Sequence, residues 1–376
     1  MYLFEFILVN FIFYFAVLIW YIAGIIKTKI NIKSKSCMSS LDVSIIVCVR
    51  NGEQSLSNLL NDFQKQKYLG NYEFIIVDDE STDSTKVIIQ EFEKNSVRFK
   101  YISSNTGDST LSFKKKALDA GIRASSYNYL LFTDVDCRVN ESWISSMMSN
   151  YENDFDYIVG YSKIENNNLP VSLFQSIDFK MMMFCSMGAI SMNTPHGCSG
   201  QNQSYKKSMY LKNGGFSRIS KLLQGDDSIF LQLSNNLSKI KTTFSLNKKS
   251  HVVAKTHTKW SDFLKQRIRW AADAQIMWKY NLVFYFAFIG FFISNMASLF
   301  FIYFLYYGHY LICYCIISKF FIELLLFLIG SKKIGDKFSL SQFCFWFLIH
   351  IPYVVLMGFL SPFISFFDWR GRKVQL

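Results

Sequence analysis

Apolar residues crowd the two ends of the chain, and between them the pattern breaks into short blocks. Residues 3–26 are almost entirely apolar, with Glu5 and Asn10 as exceptions, and are long enough to span a bilayer as a helix. A secretory leader would carry positive charge ahead of its apolar run and a small-residue cleavage site after it. Neither pattern is present, so the segment reads as a span. Lys27, Lys29, Lys33 and Lys35 follow, which places that flank in the cytoplasm and the N-terminus outside. Residues 282–307 and 310–330 read as two further spans joined at Gly308-His309. Lys319 and Glu323 lie within the second at i, i+4, where they are expected to pair or to face other helices. Ser331 to Lys337 is a basic loop of cytoplasmic type. Residues 338–367 are apolar, long for one span, and contain Pro352 and Pro362. Arg370, Arg372 and Lys373 favour a cytoplasmic C-terminus, which one crossing cannot deliver, so a broken pair or a re-entrant segment is expected.

The middle of the chain has the patterning of a globular domain. Asp42 to Val49 is a β-branched run with the character of a buried strand, followed by a turn at Arg50-Asn51-Gly52-Glu53. Leu56, Leu59, Leu60 and Phe63 have helical spacing over residues 55–66. Tyr72 to Val77 is a second strand, and the Ser/Thr/Asp cluster after it can cap a helix starting near Thr85. Phe99 to Ile102 is a third strand, and a basic helix ends at Gly121. Tyr129 to Phe132 forms the central strand, and Tyr157 to Tyr161 gives one more. Strands alternating with helices at this spacing predict βαβ units, hence an α/β domain with a mostly parallel sheet.

Composition and charge narrow the partners. The chain has 376 residues, of which 38 are Phe and 21 Tyr, a content that points to membrane segments. The net charge is +12, but no nucleic-acid-binding motif accompanies it. The basic residues crowd near the apolar ends, which suits anionic lipid headgroups. Eight cysteines without Cys-x-x-Cys pairs fit reduced core or membrane residues in a cytosol-facing protein.

Several clusters could carry chemistry. Asp134 and Asp136 stand at the end of the central strand. They read either as a hard-oxygen site for Mg²⁺ or Mn²⁺ on a diphosphate or as a solvated aspartate turn. Asp226 and Asp227 fit a catalytic pair or a helix N-terminal pair. Gly197-Cys198-Ser199-Gly200 lets backbone approach a ligand, and His196 before it reads as structural, with a catalytic role as the alternative. Met181, Met182 and Met183 lie on an expected amphipathic helix over 171–192, where packing is the favoured role and an acceptor-facing surface the other. Gln266, Arg269, Trp270 and Asp273 share one face of a helix over Trp260 to Lys279. That helix could lie in the membrane interface, yet an amide, a guanidinium and an indole together are an unusual choice for lipid.

Taken in order, VSIIVCVRNGE (43–53), FIIVDDESTDST (74–85), KKALDAG (115–121), FTDVDC (132–137), GQNQSYKKSMYLKNGGF (200–216), GDD (225–227) and QRIRW (266–270) resemble glycosyltransferase family 2 enzymes of the membrane-integrated kind. The resemblance covers roughly residues 41–280, and its strength lies in the order of the set. Asp119 stands where the family usually has Asn, Val49 where Pro or Ala is common, and Gly225-Asp226-Asp227 where related membrane synthases often have Thr-Glu-Asp or Glu-Asp with other flanks. None of these departures removes a carboxylate needed for the chemistry.

The resemblance implies a Rossmann-like GT-A fold binding a nucleotide-diphospho-sugar, with apolar helices at both ends. The expected division is a span over 1–27, a cytoplasmic catalytic domain over 41–255, an interface helix over 258–280, spans over 282–367 and a tail over 368–376. Arg50, Asn51, Asp79, Lys116 and Asp134 are expected to bind a UDP-sugar, with Asp134 and Asp136 holding Mg²⁺ or Mn²⁺. Asp227 is the expected general base of an inverting transfer, and Arg269 stabilises the leaving diphosphate. Asp226, Gln266 and Trp270 are expected on the acceptor. The acceptor is a growing cell-envelope glycan or, alternatively, a lipid, and four or five spans call for an oligomer or a partner subunit if a glycan is to be exported. The reading of another class is a non-catalytic membrane scaffold, against which the retained carboxylates argue.

Overall fold

The computed structural model describes residues 2–28, 40–366, 368–369 and 372–373, with side chains described up to Phe363. Lys29, Lys33, Lys35 and Arg370, on which part of the expected orientation rests, lie outside the described residues. The chain forms two compact units: residues 29–163 with 197–255, and residues 1–28 with 164–196 and 256–376.

The first unit is built on strands β1 (Val43–Val49), β2 (Tyr72–Asp78), β3 (Phe99–Ser103), β4 (Tyr129–Phe132), β5 (Cys137–Val139), β6 (Tyr157–Gly160), β7 (Ser162–Ile164), β8 (Gln203–Lys206), β9 (Thr242–Ser245) and β10 (Val252–Ala254). Seven of them form one sheet in the order β3-β2-β1-β4-β8-β6-β9. The run β3-β2-β1-β4 is parallel, as the alternation of strands and helices requires. β1 is almost wholly buried and β2 is buried along its whole length, as strands covered on both faces are, while β3 at the edge is half-buried. β8 is antiparallel to β4 and to β6, and β9 is parallel to β6. A second sheet has the order β5-β10-β7.

Two local expectations change in the structure. Gly121 does not end its helix, which runs from Phe113 to Ala124. A Cβ there would sit 2.6 Å from Ile46 and 2.9 Å from Val77, so the missing side chain lets the helix lie close on the sheet. In the cluster after β2, Ser84 occupies the cap position of the Thr85–Asn95 helix without a side-chain bond. Asp83 accepts from the Thr85 backbone N–H at 3.0 Å instead.

The second unit contains four helices long and apolar enough to cross a membrane: Tyr2–Lys27, Leu282–Leu299, Tyr310–Ile334 and Leu340–Phe363. The expected span over 282–307 is broken at Phe300, and a separate helix covers Phe301–Tyr306. Tyr310–Ile334 runs beyond residue 330 and ends on Gly335 in the left-handed region, so part of the expected loop is helix and Ser331 is buried. Leu340–Leu360 continues through Pro352, and a 3-10 turn over Ser361–Phe366 follows, so no second helix forms among the described residues of 338–367.

Lys319 and Glu323 pair at 3.0 Å with no exposure, and the Tyr14 hydroxyl also donates to Glu323. The polar exception of the first helix, Asn10, donates to Ser294 Oγ at 2.9 Å and to the Gly290 carbonyl at 3.2 Å. The Pro170–Ser191 helix belongs to this unit and is buried almost all round, not along one face. Met181 and Met183 are core residues, as packing by flexible side chains would have them. It crosses the first helix at Gly24 and Gly188, where a Cβ on Gly24 would lie 2.1 Å from the Gly188 carbonyl oxygen.

Candidate active site

The carboxyl ends of β1, β2 and β4 carry Arg50, Asp79 and Asp134, and their parallel pairing brings the loops after them to one edge of the sheet. The loops after β1 and β2 are laced together. Arg50 Nη1 donates to the Asp79 carbonyl at 2.7 Å, and the Asp79 N–H donates to the Val49 carbonyl at 2.8 Å. Asn51, at φ 52°, accepts on Oδ1 from the Thr82 N–H at 2.8 Å, while its own N–H donates to Ser81 Oγ at 2.9 Å. Glu53 accepts from the Ser84 N–H, and Asp83 from the Glu53 N–H, both at 3.1 Å. Asn51 thus shapes the loop, and Arg50 and Asp79 come together within it.

The Asp134–Asp136 turn is held by two backbone hydrogen bonds. The Cys137 N–H closes it on the Asp134 carbonyl at 3.1 Å, and the Lys255 N–H donates to the Asp136 carbonyl at 3.2 Å. Beyond it Arg138 makes a two-pronged contact with Asp62, at 2.6 and 2.7 Å.

Asp226 and Asp227 join this edge through the Gly197–Gly200 loop. Ser228 Oγ donates to the Cys198 carbonyl at 2.9 Å and accepts from the Cys198 N–H at 3.1 Å. Asp227 accepts from the Gly200 N–H at 3.1 Å on one oxygen and from the Ser228 N–H at 2.5 Å on the other. It therefore is a helix cap, as one reading of the pair had it, and it also stands beside Asp226. Withdrawal from water and the Asp226 charge push the Asp227 carboxyl up to about 6, against the pull of Lys114 and the two N–H groups. Upstream, buried Lys115 holds the carbonyls of Leu222 and Gln224 and so fixes the segment leading into this pair.

Lys114 ties the groups together. Its Nζ lies 2.8 Å from Asp134 Oδ1 and 3.3 Å from Asp226 Oδ2. The carboxylates hold its ammonium well above the ordinary lysine range despite burial. Lys116, the lysine expected at the donor, points elsewhere and donates to Asn105 at 3.1 Å. The difference follows from the helix Phe113–Ala124, on which consecutive side chains point about 100° apart. Sequence spacing could not reveal which of three consecutive lysines turns inward.

Another residue absent from the expectations is Asn202. Buried, it donates to the carbonyls of Ser250 at 2.8 Å and Tyr161 at 2.9 Å, and accepts from Trp143 Nε1 at 3.1 Å. A Cβ on Gly160 would lie 2.3 Å from its amide, which accounts for that glycine. The Gln-Asn-Gln string was the available signal.

Gln266, Arg269 and Trp270 lie on the helix Trp260–Ile276, in the unit that also holds the apolar helices. Gln266 is hydrogen-bonded to His257, whose imidazole is held below its ordinary range chiefly by burial. Trp270 meets Phe179 with ring centroids 5.9 Å apart. His196 is structural: Nδ1 is 2.8 Å from the Tyr21 hydroxyl, its ring stacks on Phe284 at 4.6 Å, and burial pushes its pKa down to about 4.

Asp134 and Asp136 each offer carboxylate oxygens; Asp136 is exposed, while Lys114 Nζ lies 2.8 Å from Asp134 Oδ1. Among the described residues no group of three or more His, Cys, Asp or Glu side chains forms a ligand cage. Mg²⁺ and Mn²⁺ with a diphosphate need no such cage, since one or two carboxylates and the phosphates suffice. The residues present fit that use.

Residues 44–210 match the model of Glycosyl transferase family 2. Poly-beta-1,6-N-acetyl-D-glucosamine synthase of Staphylococcus aureus (strain COL) is 25% identical over 170 residues, 44% of this chain and 40% of that protein. The synthase of the same name from Staphylococcus epidermidis is 26% identical over 178 residues, 46% of this chain and 41% of that protein. The match thus spans about two-fifths of the length of these curated relatives. Among solved structures, mannosyltransferase PcManGT from Pyrobaculum calidifontis, in complex with GDP-Man and Mn²⁺, superposes with a TM-score of 0.58 at 14% identity over 96% of each chain. The fold is GT-A-like, a mixed, mostly parallel sheet, accompanied by apolar helices in both terminal regions.

Proposed function

We propose that the protein is a membrane-integrated, inverting glycosyltransferase that moves a sugar from a UDP-sugar to a growing cell-envelope glycan. The observation that carries this reading is the convergence of Asp134, Asp226 and Asp227 on Lys114 at the carboxyl edge of the sheet, within a family 2 domain. The synthases sharing 25–26% identity with it supply the glycan class and suggest N-acetylglucosamine as the sugar. The catalytic unit faces the cytoplasm, and membrane lipids surround the apolar helices.

Arg50 and Asp79 bind the nucleoside, with Asn51 shaping their loop. Asp134 and Asp136 would hold a divalent cation, which supplies charge neutralisation on the leaving diphosphate. Arg269 acts on the same diphosphate, and Gln266 and Trp270 on the acceptor. Asp227 takes the proton of the acceptor hydroxyl as that oxygen attacks the anomeric carbon. Its two backbone N–H donors leave further lone-pair positions on the carboxylate, so it can be oriented and still accept a proton. Asp226, engaged by Lys114, sets the local charge and stands near the acceptor.

A single transfer to a lipid acceptor is the second reading. The backbone-to-backbone crossing at Gly24 and Gly188 and the contact of Gly330 with Phe184 favour it, because helices this close leave little bore between them. Export of a glycan would then require an oligomer or a partner subunit.

The test uses the full chain in detergent with radiolabelled UDP-GlcNAc and a membrane extract. UDP release with Mn²⁺ and not with EDTA is expected, as is a roughly 10²–10⁴-fold slower chemical step in Asp227→Asn with donor binding retained. A ladder of long products supports glycan extension, and one organic-extractable product supports lipid transfer. Release by Asp227→Asn at the parental rate would refute the assignment of the base.

A further inference from the structure

The helix Trp260–Ile276 carries a basic side chain that the chemistry above does not use. Arg267 is 3% exposed. Its Nη2 lies 3.3 Å from Oδ2 of Asp178, which is 4% exposed on the Pro170–Ser191 helix. The other carboxylate oxygen of Asp178 lies 3.9 Å from His350 Nε2. The guanidinium carbon stands 4.1 Å from the centroid of the Trp270 ring one turn along, and 5.0 Å from that of Phe263 one turn back. Phe179, one residue after Asp178, closes on Trp270. A planar cation is thus fixed by a buried carboxylate at one end and laid against the indole at the other.

Charge compensation of Asp178 does not by itself call for arginine. A lysine would satisfy the carboxylate but offers no plane to lie along a ring. We propose that Arg267 is a positioning residue for acceptor use: held by Asp178, it fixes the Trp270 indole in the orientation that receives the acceptor sugar. This rests on the reading of Trp270 as an acceptor contact. The arrangement joins three helices of one unit through a single side chain, so the ring is placed by the packing of the unit and not by its own rotamer alone.

The test uses the full chain in detergent, labelled with 5-fluorotryptophan, with the Trp270 ¹⁹F resonance assigned by its loss in Trp270→Phe. Arg267→Lys keeps the charge beside Asp178 and is expected to fold. It should shift or broaden the Trp270 resonance while those of Trp260 and Trp278 hold. With UDP-GlcNAc as donor and a β-1,6-linked GlcNAc tetrasaccharide as acceptor, it should raise the acceptor KM about tenfold and change the rate at saturating acceptor by less than about twofold. In a Trp270→Phe background the same substitution should have no further effect on KM. The double variant Arg267→Met with Asp178→Asn, which removes both charges, should repeat the Trp270 shift. An unmoved Trp270 resonance in Arg267→Lys, or a KM effect that persists in full without Trp270, would overturn the proposal. If Trp270→Phe itself leaves the KM unchanged, the acceptor reading fails and the proposal with it, a result separate from one in which Trp270→Phe raises the KM and Arg267→Lys does not.

Discussion

Removing the Lys114 charge should move the pH dependence of transfer, and the structure sets the size of the move. Lys114 Nζ and Asp227 Oδ2 lie 3.1 Å and 3.6 Å from the same point, the Cβ position of Gly200. They are therefore within about 7 Å of each other, where two unit charges interact by roughly 2.4 kcal/mol at an effective dielectric of 20 and roughly 0.6 kcal/mol in water. A change near 1.4 kcal/mol, in the middle of that range, is about one pH unit. Asp227 works as a base only when deprotonated, so in the parent chain the rate should rise with pH through about 6 and level off above it. In Lys114→Met the midpoint should stand near pH 7, because an uncompensated cluster holds its proton longer. At pH 6.5 the fraction of active base then falls about threefold. Lys114→Arg should keep the parental midpoint, and Asp226→Asn should lower it by removing the repelling charge. The assay is UDP release from saturating UDP-GlcNAc with a membrane extract as acceptor source, read as the midpoint of the profile and not its height. A midpoint that stays put or falls in Lys114→Met would refute the view that this ammonium tunes the base.

Four further outcomes are expected. Asp136→Asn should abolish turnover in a protein that melts normally, with added Mn²⁺ restoring little; full activity of this variant in EDTA would refute the cation assignment. His196 is held near 4 in the folded chain against an ordinary 6.5, so the unfolded chain binds a proton the folded one does not, and stability should fall by up to about 3 kcal/mol between pH 6.5 and 4. His196→Gln should flatten that slope in thermal unfolding. Gly188→Val would drive a side chain into the Tyr21 carbonyl, 2.5 Å from the Cβ position, and should cost more than about 3 kcal/mol, seen as loss of the monodisperse peak in size-exclusion chromatography. Lys337→Cys, at an exposed position after the Gly335 cap, should resist membrane-impermeant maleimide in intact cells; rapid labelling would reverse the orientation.

The parallel half of the sheet was legible because its strands are buried on both faces and announce themselves as runs such as Ser-Ile-Ile-Val. The antiparallel strand β8 was not, since Gln203-Ser204-Tyr205-Lys206 is polar in sequence. Two of its polar side chains find partners inside: Ser204 donates to the Leu130 carbonyl at 2.6 Å, and Gln203 accepts from the Tyr157 hydroxyl. The aspartates of the site could be named from their spacing, whereas their counter-ion could not. Lys114, Lys115 and Lys116 are equivalent on paper, and their successive places on the helix give them three different destinations. The same limit hid Arg267, one letter of a motif whose other letters drew the attention. Its meaning lies in Asp178, a residue 89 positions earlier.

The contacts of the first helix also bear on the order in which the chain is made. Asn10 bonds to groups about 280 residues downstream, and Tyr14 to Glu323, 309 residues on. At a synthesis rate of about 5–20 residues per second, Tyr14 leaves the ribosome roughly 15–60 s before its partner exists. During that interval the helix presents an amide and a phenol, neutral groups that a lipid phase tolerates at modest cost. The charged partner arrives later and does not come alone, because Lys319 lies one turn before Glu323 on the same helix and pairs with it at once. The two groups that wait, Asn10 and Tyr14, are uncharged, and the helix that brings Glu323 carries Lys319 with it, so neither charge of this pair is buried without its counter-ion.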